Sequence, residues 1–160
     1  EEILLDLIGK GSNENLKKKM LPKIKSNPSI NYLGYLPINE AKKHLKEAKL
    51  GLCLYTDKKH EENIPVKMYE YLSYGTPVLY SNFDSWESQI NKEGWGMSVD
   101  PSNVEEITEK IDNYFRNNLF NDYFKNCLEY RDKYNWRNEE KKLLNAYKHL
   151  LGDGINNVKT

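Results

Sequence analysis

Residues 50–80 read LGLCLYTDKKHEENIPVKMYEYLSYGTPVLY and carry the strongest structural signal in the chain. This stretch opens with an apolar run at residues 50–55 and closes with another at residues 77–80. Between them a polar loop leads to Pro65, which suits the first position of a helix, and Gly75 suits its end. Strand, helix and strand in this order are typical of two parallel strands joined by a right-handed crossover.

The same alternation extends on both sides of this stretch. Further strands are predicted at residues 2–8, 30–33 and 97–99, with helices at residues 12–25, 39–49, 84–93 and 103–117. Asp84–Glu87 and Ser102–Glu105 have the pattern of capping boxes. Residues 119–151 show only helical periodicity, with a break near residues 134–136. We therefore expect the α/β class: one Rossmann-like domain over residues 1–151, with a parallel sheet, helices on both faces, a helical C-terminal end and a flexible tail at 152–160.

Composition excludes several classes of protein. The 24 Lys and Arg residues balance the 24 Asp and Glu residues, whereas a nucleic-acid-binding module needs a basic excess. Cys53 and Cys127 lie far apart, which argues against a disulfide scaffold or a zinc knuckle and suits a reducing compartment. No apolar run approaches the roughly 20 residues that span a bilayer, and no signal-peptide pattern is present. We therefore expect a cytoplasmic protein.

One local excess of positive charge stands out near the N-terminus. It consists of five lysines: Lys17, Lys18, Lys19, Lys23 and Lys25. Such a group is typical of a solvated helix face, and the alternative is a weak contact with anionic lipid or phosphate. The three histidines, His44, His60 and His149, are scattered and form no metal-binding pattern.

Open parallel sheets bind ligands at the carboxyl ends of their strands, which directs attention to the loops there. The longest such loop, residues 56–65, delivers Glu62 and then the helix that carries Glu70. Free N–H groups at a helix start suit a diphosphate, and a nearby carboxylate suits vicinal hydroxyls. Two carboxylates beside one phosphate-binding helix end therefore fit a nucleotide-sugar.

Residues 62–78, ENIPVKMYEYLSYGTPV, resemble the donor-site signature of glycosyltransferase family 4, whose members have the GT-B fold. That signature is two glutamates separated by seven residues and followed by a helix end and Gly-x-Pro-Val. The P-x-K-x-x-E-Y form is similar to that of members that build bacterial surface polysaccharides. Further segments follow in the family's order, among them residues 7–11, 30–34, 48–52, 81–86 and 96–101.

The resemblance implies the C-terminal, donor-binding half of a retaining enzyme that transfers a sugar to a glycan or lipid-linked acceptor without a metal or cofactor. Glu70 would hold the ribose hydroxyls and Glu62, the catalytic candidate, would contact the donor sugar. The remaining donor-binding candidates are Asn63, Ile64, Lys67, Tyr35, Leu36 and Gly9. Lys67 has an alternative role in an ion pair with Glu70, and Gly9 in turn geometry alone.

Several points depart from the family pattern. Asn63-Ile64-Pro65 stands where members carry a Phe-Gly element, and Glu61 precedes Glu62, so either could be the first motif glutamate, with spacing favouring Glu62. The basic pair for the diphosphate, the first strand–helix unit and the N-terminal acceptor domain are expected upstream of this sequence, so the chain alone should be inactive. A peripheral contact with the inner face of the plasma membrane is a further expectation. The rival interpretations are a GT-B-like nucleotide-sugar epimerase and a non-catalytic interaction module.

Overall fold

A computed structural model describes residues 3–11 and 14–151 of the chain. The predicted helix cap at Ser12 or Asn13 and the predicted tail at residues 152–160 lie outside these residues. The chain divides into two compact units, Glu1–Ala48 and Lys49–Thr160. The helices and strands are β1 (Leu5–Ile8), α1 (Glu14–Lys25), β2 (Ile30–Gly34), α2 (Ile38–Glu47), β3 (Gly51–Cys53), α3 (Val66–Ser73), β4 (Val78–Ser81), α4 (Asp84–Glu93), β5 (Gly96–Val99), α5 (Val104–Arg116), α6 (Phe120–Arg131) and α7 (Trp136–Leu151).

The strands form two parallel sheets. In the first unit β1 pairs with β2, and Leu5 lies opposite Ile30. In the second unit the order is β3-β4-β5, with Val78 of the central strand opposite Gly51 on one side and Gly96 on the other. Parallel sheets with connecting helices confirm the predicted α/β class and are consistent with a Rossmann-like half of a GT-B fold.

The hydrophobic core lies in the second unit. Every residue of β4 is buried, as expected for a central strand that helices cover. Helix α3 places Met68 and Leu72 in this core, and α4 adds Trp86 and Ile90. The remaining buried members include Cys53, Tyr80, Trp95 and Cys127. Burial raises the pKa of the Cys53 thiol to about 11, so this cysteine is a packing residue, as its place in an apolar strand predicts.

The observed N-terminal ends of three helices differ from the sequence prediction. Pro65 is the N-cap of α3 and not its first helical residue. Asp84 does not cap α4, because it already lies in the first turn, where its charge suits the helix dipole. The cap of α5 is Asn103, one residue later than predicted, and its side chain accepts a hydrogen bond from the Glu106 N–H. Gly75 ends α3 in the left-handed region (φ +76°), as predicted.

Helix α7 differs from the other helices of the second unit because it contains no buried residue. Its apolar side chains are largely exposed, for example Trp136 at 69% and Leu150 at 78%. The helical break before α7 lies at residues 132–135, close to the predicted position. None of the helices in the described ranges is long and apolar enough to cross a membrane.

Candidate donor-binding site

The loop between β3 and α3 positions the first candidate residues and is held at both ends. At its start, the Ser81 hydroxyl bonds both the N–H and the C=O of Tyr55 (2.7 and 2.8 Å), which ties the loop to the end of β4. In its middle, Asp57 caps a single 3-10 turn, Lys58–His60, by accepting a hydrogen bond from the Lys59 N–H at 3.0 Å. The Lys59 side chain, 2.6 Å away, helps to hold the pKa of Asp57 below its ordinary value.

The end of the loop is fixed by α4. The Ser85 hydroxyl donates a hydrogen bond to the Glu61 carbonyl oxygen. Ile64 is half-buried and packs against the core, which directs the chain into α3. Because both neighbours are anchored in this way, Glu62 and Asn63 are presented as exposed side chains directly before the helix. Sequence reasoning did not identify Ser81 or Ser85 as supports for this loop, since neither belongs to a recognisable motif.

Helix α3 presents Glu70 on its exposed face while Met68 and Leu72 point into the core. Within the described ranges, neither the Glu62 nor the Glu70 carboxylate takes part in an ion pair or a side-chain hydrogen bond. Pro65 provides no side-chain cap, and the Met68 N–H donates to the Pro65 carbonyl oxygen at 2.9 Å, whereas the Val66 and Lys67 N–H groups have no hydrogen-bond partner among the described residues. Along the chain, Glu62 lies four residues before α3 and Glu70 is the fifth residue of that helix.

Lys67 does not form the ion pair with Glu70 that was one of its two predicted roles. Its ammonium group lies 5.0 Å from the centroid of the Tyr55 ring, a cation–π contact, rather than beside Glu70. The Tyr55 ring also contacts His60, with 4.4 Å between ring centroids, and meets Trp86 edge-on at 6.0 Å. Tyr55 therefore links the loop, the start of α3 and the core. The phosphate role of Lys67 stays a prediction.

The remaining predicted residues lie in the first unit, at the carboxyl ends of β1 and β2. Gly9 adopts φ +140° and donates a backbone hydrogen bond to Gly34 at 2.7 Å. Tyr35 is 67% exposed, and the Lys10 ammonium lies 4.7 Å from the centroid of its ring. Leu36 is half-buried. The structure thus brings Gly9 and Tyr35 to one end of this sheet together with Lys10, a cation that the sequence motifs did not single out.

In the part of the chain that the structure describes, metal-ligating side chains do not gather at the β3–α3 loop or at the ends of β1 and β2. Among the residues that the structure describes, no group of three or more His, Cys, Asp or Glu side chains could hold a metal ion. His44 pairs with Asp6, with 2.8 Å between Nδ1 and Oδ2, in the first unit. His60 contacts Tyr55 in the second.

Comparison with known proteins identifies the family but no individual relative. A search of curated proteins found no match to the chain. The family described as Glycosyl transferases group 1 matches residues 1–149, which is most of the sequence. The chain belongs to the group 1 glycosyltransferases.

Proposed function

We propose that this chain is the donor-binding part of a retaining, family 4 glycosyltransferase of the GT-B fold. As a member of a glycosyltransferase family, it acts in glycosyl transfer, which requires a nucleotide-sugar donor and an acceptor. The finer proposal is that residues 1–151 form one C-terminal, Rossmann-like domain that binds a nucleoside-diphosphate sugar. The acceptor is a glycan or a lipid-linked acceptor in bacterial surface polysaccharide synthesis.

The observation that carries the proposal is the pair of exposed carboxylates, Glu62 and Glu70, one before and one after the start of α3. A helix start attracts a diphosphate through its N–H groups and the positive end of its dipole. Glu70 accepts hydrogen bonds from the ribose diol, and Glu62, with the backbone of Asn63 and Ile64, contacts the transferred sugar. Negative charge that develops on the leaving diphosphate is stabilised at the helix start, with Lys67 nearby.

In the first unit, the proposal assigns donor contacts to Gly9, Tyr35 and Leu36. Gly9 allows a close approach of the backbone, and Tyr35 and Leu36 border the base through main-chain groups. No cofactor or metal is part of the proposal. The protein acts in the cytoplasm, and the exposed lysines of α1, such as Lys18 and Lys19, support a peripheral contact with anionic lipid at the inner face of the membrane.

Calorimetric titration with UDP, GDP and ADP tests the donor site. We expect one of the three diphosphates to bind and Glu70→Ala to weaken that binding about 10- to 100-fold, the effect of losing one or two charge-assisted hydrogen bonds. Glu129→Ala, which removes an exposed glutamate from α6, is the matched control and should leave affinity unchanged. An equal affinity in Glu70→Ala and the parent chain would refute the assignment of Glu70.

A further inference from the structure

A cavity lies at the carboxyl ends of the three strands of the second unit. Its volume is about 310 Å³. Each strand contributes residues from the loop that follows it: Thr56 and Lys58 after β3, Asn82 and Phe83 after β4, and Asp100, Pro101 and Ser102 after β5. This edge is where parallel sheets bind their ligands, and the volume is at the lower end of the range for small-molecule pockets, enough for about one sugar ring.

The carboxylate of Asp100 is set in place before any ligand arrives. Its Oδ1 atom accepts hydrogen bonds from the Ser102 N–H at 2.9 Å and from the Ser102 hydroxyl at 2.6 Å. These bonds hold the pKa of Asp100 below its ordinary value, so the group is ionised at neutral pH. Its Oδ2 atom accepts no hydrogen bond from the described residues, which leaves one oriented acceptor for a ligand hydroxyl.

Three other polar side chains of the cavity also have unused hydrogen-bonding capacity. The Thr56 hydroxyl, the Lys58 ammonium and the Asn82 amide are exposed. Over residues 3–11 and 14–151, none of the three has a side-chain hydrogen bond or an ion pair. Together with Asp100 they offer both donors and acceptors of hydrogen bonds.

Phe83 borders the cavity but presents little surface to it. The side chain is only 6% exposed and packs edge-on against the buried Trp86, with 4.8 Å between ring centroids. The carboxylate, amide and hydroxyl groups that line the cavity match the hydroxyls of a sugar ring. A phosphate fits less well, because the ionised Asp100 would repel it.

We propose that this cavity binds a sugar unit of the acceptor, an inference that rests on the proposed glycosyl transfer. The loop between β3 and α3 then serves both substrates. Its first part, Thr56 and Lys58, lines the acceptor cavity, and its last part, Glu62 and Asn63, faces the donor. The acceptor hydroxyls are recognised by Asp100 and Asn82, which are specificity-determining residues with no part in binding the nucleotide.

The test is a titration of the isotopically labelled chain with methyl glycosides of neutral hexoses, followed through backbone amide NMR signals. We expect at least one glycoside to shift the signals of Asn82, Asp100 and Ser102. Asp100→Asn keeps the shape of the side chain but removes its charge, and should weaken the binding of that glycoside about tenfold. Asn82→Ala, at an exposed position, should weaken it in the same direction. Asp122→Asn, at an exposed position of α6, is the matched control and should have no effect.

A parallel titration with UDP, GDP and ADP separates this inference from the proposed donor site. Asp100→Asn should leave nucleotide affinity unchanged, and Glu70→Ala should leave glycoside affinity unchanged. Glycoside binding at the cavity without nucleotide binding would support the cavity and refute the donor site. Nucleotide binding without any glycoside-induced shift at the cavity would overturn the acceptor cavity and leave the donor site standing. Equal glycoside affinities in Asp100→Asn and the parent chain would overturn it as well.

Discussion

The two parallel sheets of this chain differ in how completely they are buried. In the second unit every residue of β4 is buried, and two tryptophans, Trp86 and Trp95, are fully enclosed. In the first unit β1 alternates between half-buried and exposed residues, and no side chain described there is fully buried. A similar strand–helix alternation in the sequence therefore produces two very different degrees of packing.

The cause of the difference lies in the strands and in the helices that cover them. Strand β4 has a hydrogen-bonded neighbour on each side, whereas β1 and β2 have only each other among the described strands. Helices α3 and α4 bring large apolar side chains to the sheet, but α1 reads ENLKKKMLPKIK and α2 contains no buried residue. Since the free energy of apolar burial is roughly proportional to area, we expect the second unit to be the more stable.

The largest expected loss of stability comes from an Ile→Ala truncation in the second unit, which we compare with the same change in the first. Ile90→Ala removes a fully buried side chain from α4 and should lower the stability of the second unit by about 3–4 kcal/mol, through lost burial and a residual cavity. Ile24→Ala, the matched change in α1, removes a half-buried side chain and should cost about 1 kcal/mol in its own unit. Hydrogen exchange of β4 and β2 amides in increasing urea measures each cost separately. Similar costs at the two positions would contradict the contrast in packing.

A smaller loss of stability is expected from substitution of Glu93, a buried residue that is 8% exposed. It accepts hydrogen bonds from the Trp95 indole (2.8 Å), the Lys133 ammonium (2.5 Å) and the Tyr134 hydroxyl (2.6 Å). Glu93→Gln keeps the shape but loses the charge, and should cost about 1–3 kcal/mol at neutral pH. Glu129→Gln, at an exposed position of α6, is the control and should cost almost nothing.

The cost of Glu93→Gln should also depend on pH, with a defined sign. Burial raises the pKa of Glu93, but the hydrogen bonds from Lys133, Tyr134 and Trp95 outweigh burial and hold the pKa below its ordinary value. The stabilisation by this carboxylate is therefore complete above the unfolded-state pKa of about 4.3 and is lost as the pH falls through the lower folded-state value. Urea unfolding measures the free energy of unfolding of the parent chain and of Glu93→Gln. The difference between the two should be smaller below about pH 4 than at neutral pH. A difference that stays constant would show that the charge is not the source of the stabilisation.

Sequence periodicity predicted the kinds of elements and most of their positions, because it reports which face of an element is apolar. All five strands and the helices between them lie near their predicted places. Local chemistry at element ends was less well predicted: Asp84 matches a capping box but lies inside α4, since Phe83 takes the N-cap position. Hydrogen-bond partners that are distant in sequence, such as Ser81 with Tyr55, leave no local pattern that could reveal them.

The sequence likewise predicted only part of the candidate site. The spacing of Glu62 and Glu70 indicated two carboxylates near one helix start, and both are exposed there without ion pairs in the described part of the chain. Of the two roles expected for Lys67, the ion pair with Glu70 is not formed, because its side chain lies over the Tyr55 ring, a contact that depends on the path of the loop. The phosphate contact stays a prediction. The cavity beside Phe83 needs three strand ends that are distant in sequence, so no single motif could predict it.

The smallest loss of stability is expected from substitution of Asp6, the carboxylate in the first unit that corresponds to Glu93. Its carboxylate accepts a hydrogen bond from the Asn31 amide at 2.9 Å, and its Oδ2 atom lies 2.8 Å from Nδ1 of His44. The Asp6 side chain is, however, 37% exposed. Water can replace the lost partners, and an amide oxygen at this position can still accept from Asn31, so Asp6→Asn should cost at most about 1 kcal/mol. Hydrogen exchange of the β1 and β2 amides checks this value. A cost equal to that of Glu93→Gln would mean that burial is not what separates the two carboxylates, and that β1 and β2 are held together by their polar contacts.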